Sequence, residues 1–283
     1  MAPNGLMVSG YCGIWLMAEA LKAPFDRPDA GFNDLPGWTW VGTYGGPYLQ
    51  ADQLAAFEHG FFNRQWQGRG PGELAGYLSA GISVHRPQQI HSAVVLAAAE
   101  ASSEPWPEAD GLVSDGGGQS LWVCSADCAP VLMADPHSGR VAACHAGWRG
   151  VAGRILPIAI ARLVAAGSNP AELLIAIGPC VSGANYQVER PVSLAVAASL
   201  QAHGDQNEAA LEELIACGAL LADPDHDRLD LRSAIVRQLQ NAGVPREAMA
   251  VCPLCTVAEP ALFHSWRRDQ VKAVQWSGIV SQG

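Results

Sequence analysis

The chain has 283 residues, 49% of them hydrophobic, with 17 Lys or Arg against 27 Asp or Glu and a formal net charge of −10. That length and apolar content supply a sizeable core, in one large domain or two. So acidic a balance carries no basic footprint for nucleic acid or an anionic membrane, although one local pocket can still be basic; no protein partner is evident. Eight cysteines over this length are not disulfide-dense, and several fall in apolar runs where a free thiol behaves as a small hydrophobe. A reducing, cytoplasmic compartment is the expectation.

Leu6 to Leu21 is apolar, but no Lys or Arg precedes it closely and Glu19 interrupts its end. It falls short of the roughly 20 apolar residues that span a bilayer and reads as a buried helix. Residues 24–48, rich in Pro, Gly and Trp, read as loop. Residues 1–50 are set apart as a segment without an assigned role, ahead of a single domain over residues 51–283. Leu54 to Phe57 ends a short helix before the strand-like Gly60-Phe61-Phe62. Leu121–Cys124, Val131–Met133 and Val141–Cys144 read as buried strands, the last two joined by a turn at Asp135-Pro136-His137-Ser138-Gly139. Val151–Ala166 has helical periodicity, with Pro157 kinking it or starting its regular part and Gly167 stopping it. Leu173–Ile177 and Met249–Cys252 read as strands; Val192–Ala202, Glu208–Ala216 and Leu229–Ala242 read as helices, the last ended by Gly243. Such alternation without repeats or an evident linker gives a mixed α/β (α+β) fold class.

Chemistry concentrates between Ser125 and Arg154. Cys128 and His145 both fall at strand edges, and Gly147 and Gly150 let backbone approach a ligand there without a Cβ in the way. His91, in Gln89-Ile90-His91-Ser92, is a third candidate. One Cys and two His are ligands that Zn²⁺ prefers, and three protein ligands leave a fourth position open. Taken singly, each is more often a buried apolar thiol or a satisfied polar group. Their spacings of 37 and 17 positions are not a finger pattern, so spacing does not define the site. Asp127 is placed to support a ligand or to hold substrate. Arg149, read as directly preceding a helix, suits an anion through its forked donors and the helix N-terminus. Cys252-Pro253-Leu254-Cys255 is a lone Cys-x-x-Cys and reads as structural or pocket-lining.

Five blocks occur in order: Gln89-Ile90-His91-Ser92; Ser125-Ala126-Asp127-Cys128-Ala129-Pro130; Cys144-His145-Ala146-Gly147-Trp148-Arg149-Gly150; Ile177-Gly178-Pro179-Cys180 leading to Tyr186; and Cys255-Thr256 leading to Phe263-His264-Ser265-Trp266-Arg267-Arg268-Asp269. From about His59 to Asp269 the chain resembles the laccase-domain proteins, also called multicopper polyphenol oxidase-like proteins. That resemblance implies a layered sandwich of mixed β-sheets flanked by helices. It also implies a zinc-dependent purine nucleoside phosphorylase acting on adenosine, inosine, guanosine and methylthioadenosine, with adenosine deaminase activity. His91, Cys128 and His145 would be its metal-binding and catalytic set for Zn²⁺. Arg64, Asp127, Arg149 and Arg268 would bind substrate or phosphate, the partners being purine nucleosides and phosphate. Departures from the family pattern are Asn63 for Thr, a shortened and dissimilar segment 65–86, Gln187 for Glu, His264 for Phe, and Val271-Lys272-Ala273-Val274 in place of Thr-Gly-Arg.

Copper-dependent phenol oxidation, the family's older label, is the alternative. A blue-oxidase cluster needs about ten His in His-x-His and His-Cys-His groups; this chain has eight His, none so arranged. Copper in a Cys-His₂ site would support at most weak oxidation. A degraded, non-catalytic member and a metal-free cysteine hydrolase using Cys128 and His145 are the remaining readings.

Overall fold

The computed structural model describes residues 35–201, 208–221 and 225–283; the apolar Leu6–Leu21 run lies outside them. Among the described residues no helix is long and apolar enough to cross a membrane. Elements are numbered along the chain. One six-stranded sheet is ordered β1 (Trp38–Thr43), β2 (Gly46–Ala51), β3 (His59–Phe62), β15 (Gln275–Val280), β7 (Gln119–Ser125) and β4 (Ser83–His85). A second runs β14 (Met249–Val251), β10 (Leu174–Ile177), β8 (Ala129–Ala134), β9 (Val141–Ala146), β6 (Gly111–Val113) and β5 (Val95–Ala97). Both are mixed: β4 pairs parallel with β7, β5 with β6 and β10 with β14, and the other neighbours are antiparallel.

The layers follow from side-chain alternation along the strands. In β8, Leu132 and Ala134 face the first sheet, meeting Phe61, Leu121, Val123 and Ile279. Val131 and Met133 face the other way, toward α3 (Ile155–Ala165) and α6 (Leu231–Asn241), where Ile155, Ala159, Leu163, Ile235 and Leu239 cover them. Every residue of β8 and β9 is therefore buried, as expected for strands covered on both faces. The outer face of the first sheet, with Tyr48, Phe62 and Trp122, is capped by Trp66 and by Leu74, Ala75 and Leu78 of α1 (Pro71–Leu78). The result is a sandwich of mixed sheets flanked by helices, as the family resemblance implied.

Several local expectations change. Residues 38–48 are not loop: Trp38 and Trp40 alternate inward on β1, which forms a tight hairpin with β2 across the Thr43–Gly46 pair. Of the Gly that suggested loop, Gly45 and Gly46 belong to that turn. Leu54–Phe57 closes a single 3₁₀ turn, Asp52–Leu54. Val151–Ala166 is two helices, α2 (Trp148–Ala152) and α3, broken where Arg154 takes a left-handed φ of +62°; Pro157 then sits harmlessly in the first turn of α3. The helix expected over Val192–Ala202 is α4 (Arg190–Ala198), and that at Glu208–Ala216 is α5. Leu229 ends β13 (Asp227–Leu229), the middle strand of a small sheet between β11 (Gln187–Val188) and β12 (Leu220–Leu221), rather than belonging to α6. In the dissimilar segment, Asn63 caps a 3₁₀ turn at Arg64–Trp66 by accepting from Gln65 N–H at 2.9 Å, and α1 and β4 follow. Further strands of the two six-stranded sheets that the sequence reading did not include are β4, β5, β6 and β15, the last of which joins both halves of the first sheet.

Gly178, just past β10, packs directly against Phe61 of β3 in the facing sheet. A Cβ at Gly178 would lie 2.3 Å from the Phe61 ring and 2.9 Å from Pro130. Gly178→Ala should therefore destabilise the protein by about 1–3 kcal/mol, read as a lowered denaturant midpoint; an unchanged midpoint would show that the sheets can part there at no cost.

Candidate functional site

The second sheet gathers the candidate site residues at one end. Cys128 precedes β8, and His145 lies in β9 directly opposite Pro130. His145 shares the inter-sheet face of β9 with Ala143, whereas Cys144 points into the helix-side core. His91 comes from the loop between β4 and β5. Loop and strand are brought together by Asp110, a residue at 0% exposure just before β6. Its carboxylate accepts from the backbone N–H groups of Ile90 (3.2 Å), His91 (3.0 Å) and Ser92 (2.6 Å), from Ser92 Oγ (2.8 Å) and from His145 Nδ1 (2.8 Å). Gln89 fastens the same loop to β7 through two bonds with the Cys124 backbone, at 2.8 and 2.7 Å.

The ligand atoms of His91, Cys128 and His145 all lie within 4.8 Å of one another, despite their separation in sequence. The two imidazoles meet edge to face at 4.9 Å between centroids. Gly147, which caps α2, closes the group: a Cβ there would fall 2.8 Å from Cys128 Sγ and 3.4 Å from His91 Cδ2. With Nδ1 of His145 committed to Asp110, its Nε2 is the nitrogen left for a ligand, an arrangement typical of metal-bound imidazole. The donor set suits a three-ligand metal site. Its spread is somewhat wider than the roughly 3.3–3.8 Å between ligands on tetrahedral zinc. The support expected from Asp127 for these ligands comes instead from Asp110.

Electrostatics couple the pair. Burial pushes the Cys128 thiol up, but the His145 charge and hydrogen bonds from His145 and His91 overcome it and draw the thiol down to about 6. Burial opposes charge on His145 too, yet the Cys128 thiolate and Asp110 raise it to about 9. Asp110 is itself pushed up by burial and held below its ordinary value by His145 and Ser92.

Around this group opens a cavity of about 680 Å³, lined among others by Asp127, Trp148, Arg149, Tyr186, Trp266 and Arg267. Asp127, at a left-handed φ of +90°, is a strut: Oδ1 accepts from Thr256 Oγ1 and Oδ2 from the Arg267 N–H, both at 2.6 Å. Arg149 lies within α2 rather than before it, its guanidinium 4.4 Å above the Trp148 ring. Arg64 and Arg268 do not line the cavity. Arg64 bonds the Pro260 carbonyl. Arg268 spends its donors on the carbonyls of Thr256 (2.7 Å), Val257 (3.1 Å) and Phe263 (2.9 Å) and on Asp269. Its neighbour Arg267 takes the cavity position, 5.0 Å over the Tyr186 ring. No residue of 65–86 lines the cavity. Sequence reasoning missed Asp110, Arg267 and the 271–274 run; only Arg267, in the fifth block, carried a signal, since one of two adjacent arginines in a helical turn must face elsewhere. Cys252 and Cys255 lie outside the cavity lining; Cys255 pairs with Cys180 only through the backbone, in an isolated parallel β-bridge, and both thiols are free.

The sequence model of a family described as multi-copper polyphenol oxidoreductase laccase matches residues 73–281. The chain belongs to that family. A Synechocystis protein named purine nucleoside phosphorylase is 41% identical over 256 residues, covering 86% of this chain and 97% of the relative. A Mycobacterium tuberculosis protein of the same name is 36% identical over 184 residues, covering 64% and 65% of the two chains. Among solved structures, YlmD from Geobacillus stearothermophilus has a TM-score of 0.72 at 24% identity, covering 86% of this chain and 99% of its own. Neisseria meningitidis protein NMB0706 has a TM-score of 0.63 at 26% identity, covering 88% and 100%. These neighbours share the fold.

In metal-free protein, iodoacetamide should alkylate Cys128 with a midpoint near pH 6, because the thiolate is the reactive form. Cys144, pushed up to about 12 by burial and by Asp110, should stay unlabelled. A Cys128 rate still climbing through about pH 8.5, the ordinary thiol value, would show that His145 does not hold the thiolate.

Proposed function

We propose that this chain is a zinc-dependent purine nucleoside phosphorylase, cleaving adenosine, inosine, guanosine and methylthioadenosine with phosphate, and also deaminating adenosine. The observation that carries the reading is the joining of a Cys-His₂ group, with one imidazole anchored on Asp110, to a cavity whose arginines lie on aromatic rings rather than on carboxylates. The name of the Synechocystis relative, which matches over nearly its whole length, supports it. His91, Cys128 and His145 would hold the ion. Zinc bound there would supply Lewis acidity without redox chemistry, which disfavours phenol oxidation.

The chain's own residues account for the rest. Arg149 and Arg267 offer forked donors that suit phosphate oxygens and cannot be deprotonated. Trp148, Tyr186 and Trp266 provide flat surfaces for a purine. Held between them, a phosphate oxygen forms a bond to the ribose anomeric carbon as the bond from that carbon to the purine nitrogen breaks. The electron pair leaves with the base, which then takes a proton. The arginines act chiefly by positioning the anion against the oxocarbenium-like centre. Asp127 sets the wall that carries Arg267.

Purified protein should contain close to one zinc per chain and release hypoxanthine from inosine only when phosphate is present. Cys128→Ala should lose both the metal and at least about 100-fold of the activity, and Arg149→Lys should raise the KM for phosphate because a point charge cannot reproduce a fork. Zinc-loaded protein that releases no purine from any of the four nucleosides, or that oxidises phenols without copper, would overturn the assignment.

A further inference from the structure

The cavity is lined by three cations, Arg149, Arg267 and Lys272, and by one carboxylate, Asp127. Both oxygens of Asp127 are already taken, by Thr256 and by the Arg267 backbone. The two guanidinium groups rest on rings, and Lys272 makes no hydrogen bond or ion pair with any described residue. In a chain of net charge −10 that holds only two lysines, Lys22 and Lys272, this is a concentrated surplus of positive charge. Outside the His91-Cys128-His145 group, three cations against one carboxylate leave two charges over, which suits one phosphate dianion.

Lys272 also sits on a segment built to be adjustable. Its upstream end is fixed: Arg268 clamps α7 (Trp266–Asp269) to the Thr256, Val257 and Phe263 carbonyls, and the Arg267 N–H is held by Asp127. Its downstream end enters β15, paired on both sides. Between them, residues 270–274 make one internal backbone bond, Ala273 N–H to the Val271 carbonyl at 2.9 Å, and Val271 is 59% exposed. Gln270 takes a left-handed φ of +54°, turning the chain at the start of this strap.

We propose that Lys272 is a phosphate-binding residue: the 270–274 strap brings its ammonium onto the anion held by Arg149 and Arg267, completing a three-cation site. This rests on phosphate being the co-substrate, and its test separates the two claims. Purified protein is treated with an acetylating N-hydroxysuccinimide ester with and without inorganic phosphate, and labelling is followed by mass spectrometry with Lys22 as the internal reference. Phosphate should slow acetylation of Lys272 and leave Lys22 unchanged. Lys272→Gln should raise the KM for phosphate roughly fivefold without changing the KM for inosine, and Lys272→Arg should restore most of the loss. Shielding of Lys272 in protein that cleaves no nucleoside would support the anion site while removing the phosphorylase reading. Equal labelling with and without phosphate, or a Lys272→Gln variant with the parental phosphate KM, would overturn the proposal.

Discussion

Burying a lone carboxylate is costly unless donors surround it. Asp110, wholly buried, accepts five hydrogen bonds, three from consecutive backbone N–H groups, one from a hydroxyl and one from an imidazole. The bonds act on two distant segments at once. They curl residues 90–92, leaving His91 at a φ of +60°, and they fix the orientation of His145 so that its second nitrogen turns toward Cys128. Two of the three members of the His91-Cys128-His145 group therefore depend on one side chain. The Asp110 backbone adds to this by accepting from the His145 N–H at 2.7 Å, which keeps β6 in register with the strand that carries the imidazole.

Adjacent residues of β9 show what that placement decides. Cys144 is fully buried and Cys128 partly so, at the cavity wall, and burial alone raises each thiol. Cys144 faces apolar side chains and stays neutral to about 12, whereas Cys128 meets two imidazoles and titrates near 6. Strand alternation, which turns residue 144 away from residue 145, separates an inert core thiol from a group able to bind a metal as thiolate.

Strain gathers at the same end of the sheet. His91 and Asp127 are both non-glycine residues in the left-handed region, each costing about 1 kcal/mol or more. The surroundings over-determine both. Asp110 holds His91, while Asp127 is fixed by Thr256, by the Arg267 N–H and by its own carbonyl, which accepts from the Val181 N–H at 2.9 Å. Asp127 thus ties the loops after β7, β10 and β14 into a single wall. The one carboxylate that lines the cavity is thereby satisfied within the wall itself.

Composition, hydrophobic alternation and turn residues were enough to read the buried strands β8 and β9, their Asp135–Gly139 turn, the helices near 155–165 and 231–241, and the Cys and His residues at strand ends. These are local features, carried by spacing and by the conformational limits of Gly and Pro. The ordered blocks also carried the family. Tertiary structure alone decided which arginine of the 267–268 pair enters the cavity, because that depends on carbonyls of residues 256, 257 and 263 capturing Arg268. It alone brought in Asp110, 19 positions from His91 and 35 from His145, since nothing local distinguishes a surface aspartate from one that organises two segments. It also made strands of residues 38–51 and 275–280, whose pairing partners lie far along the chain or were masked by Gly and Pro. Sequence pattern reports which face of an element is apolar; which distant polar groups must satisfy one another is settled only when the core closes around them.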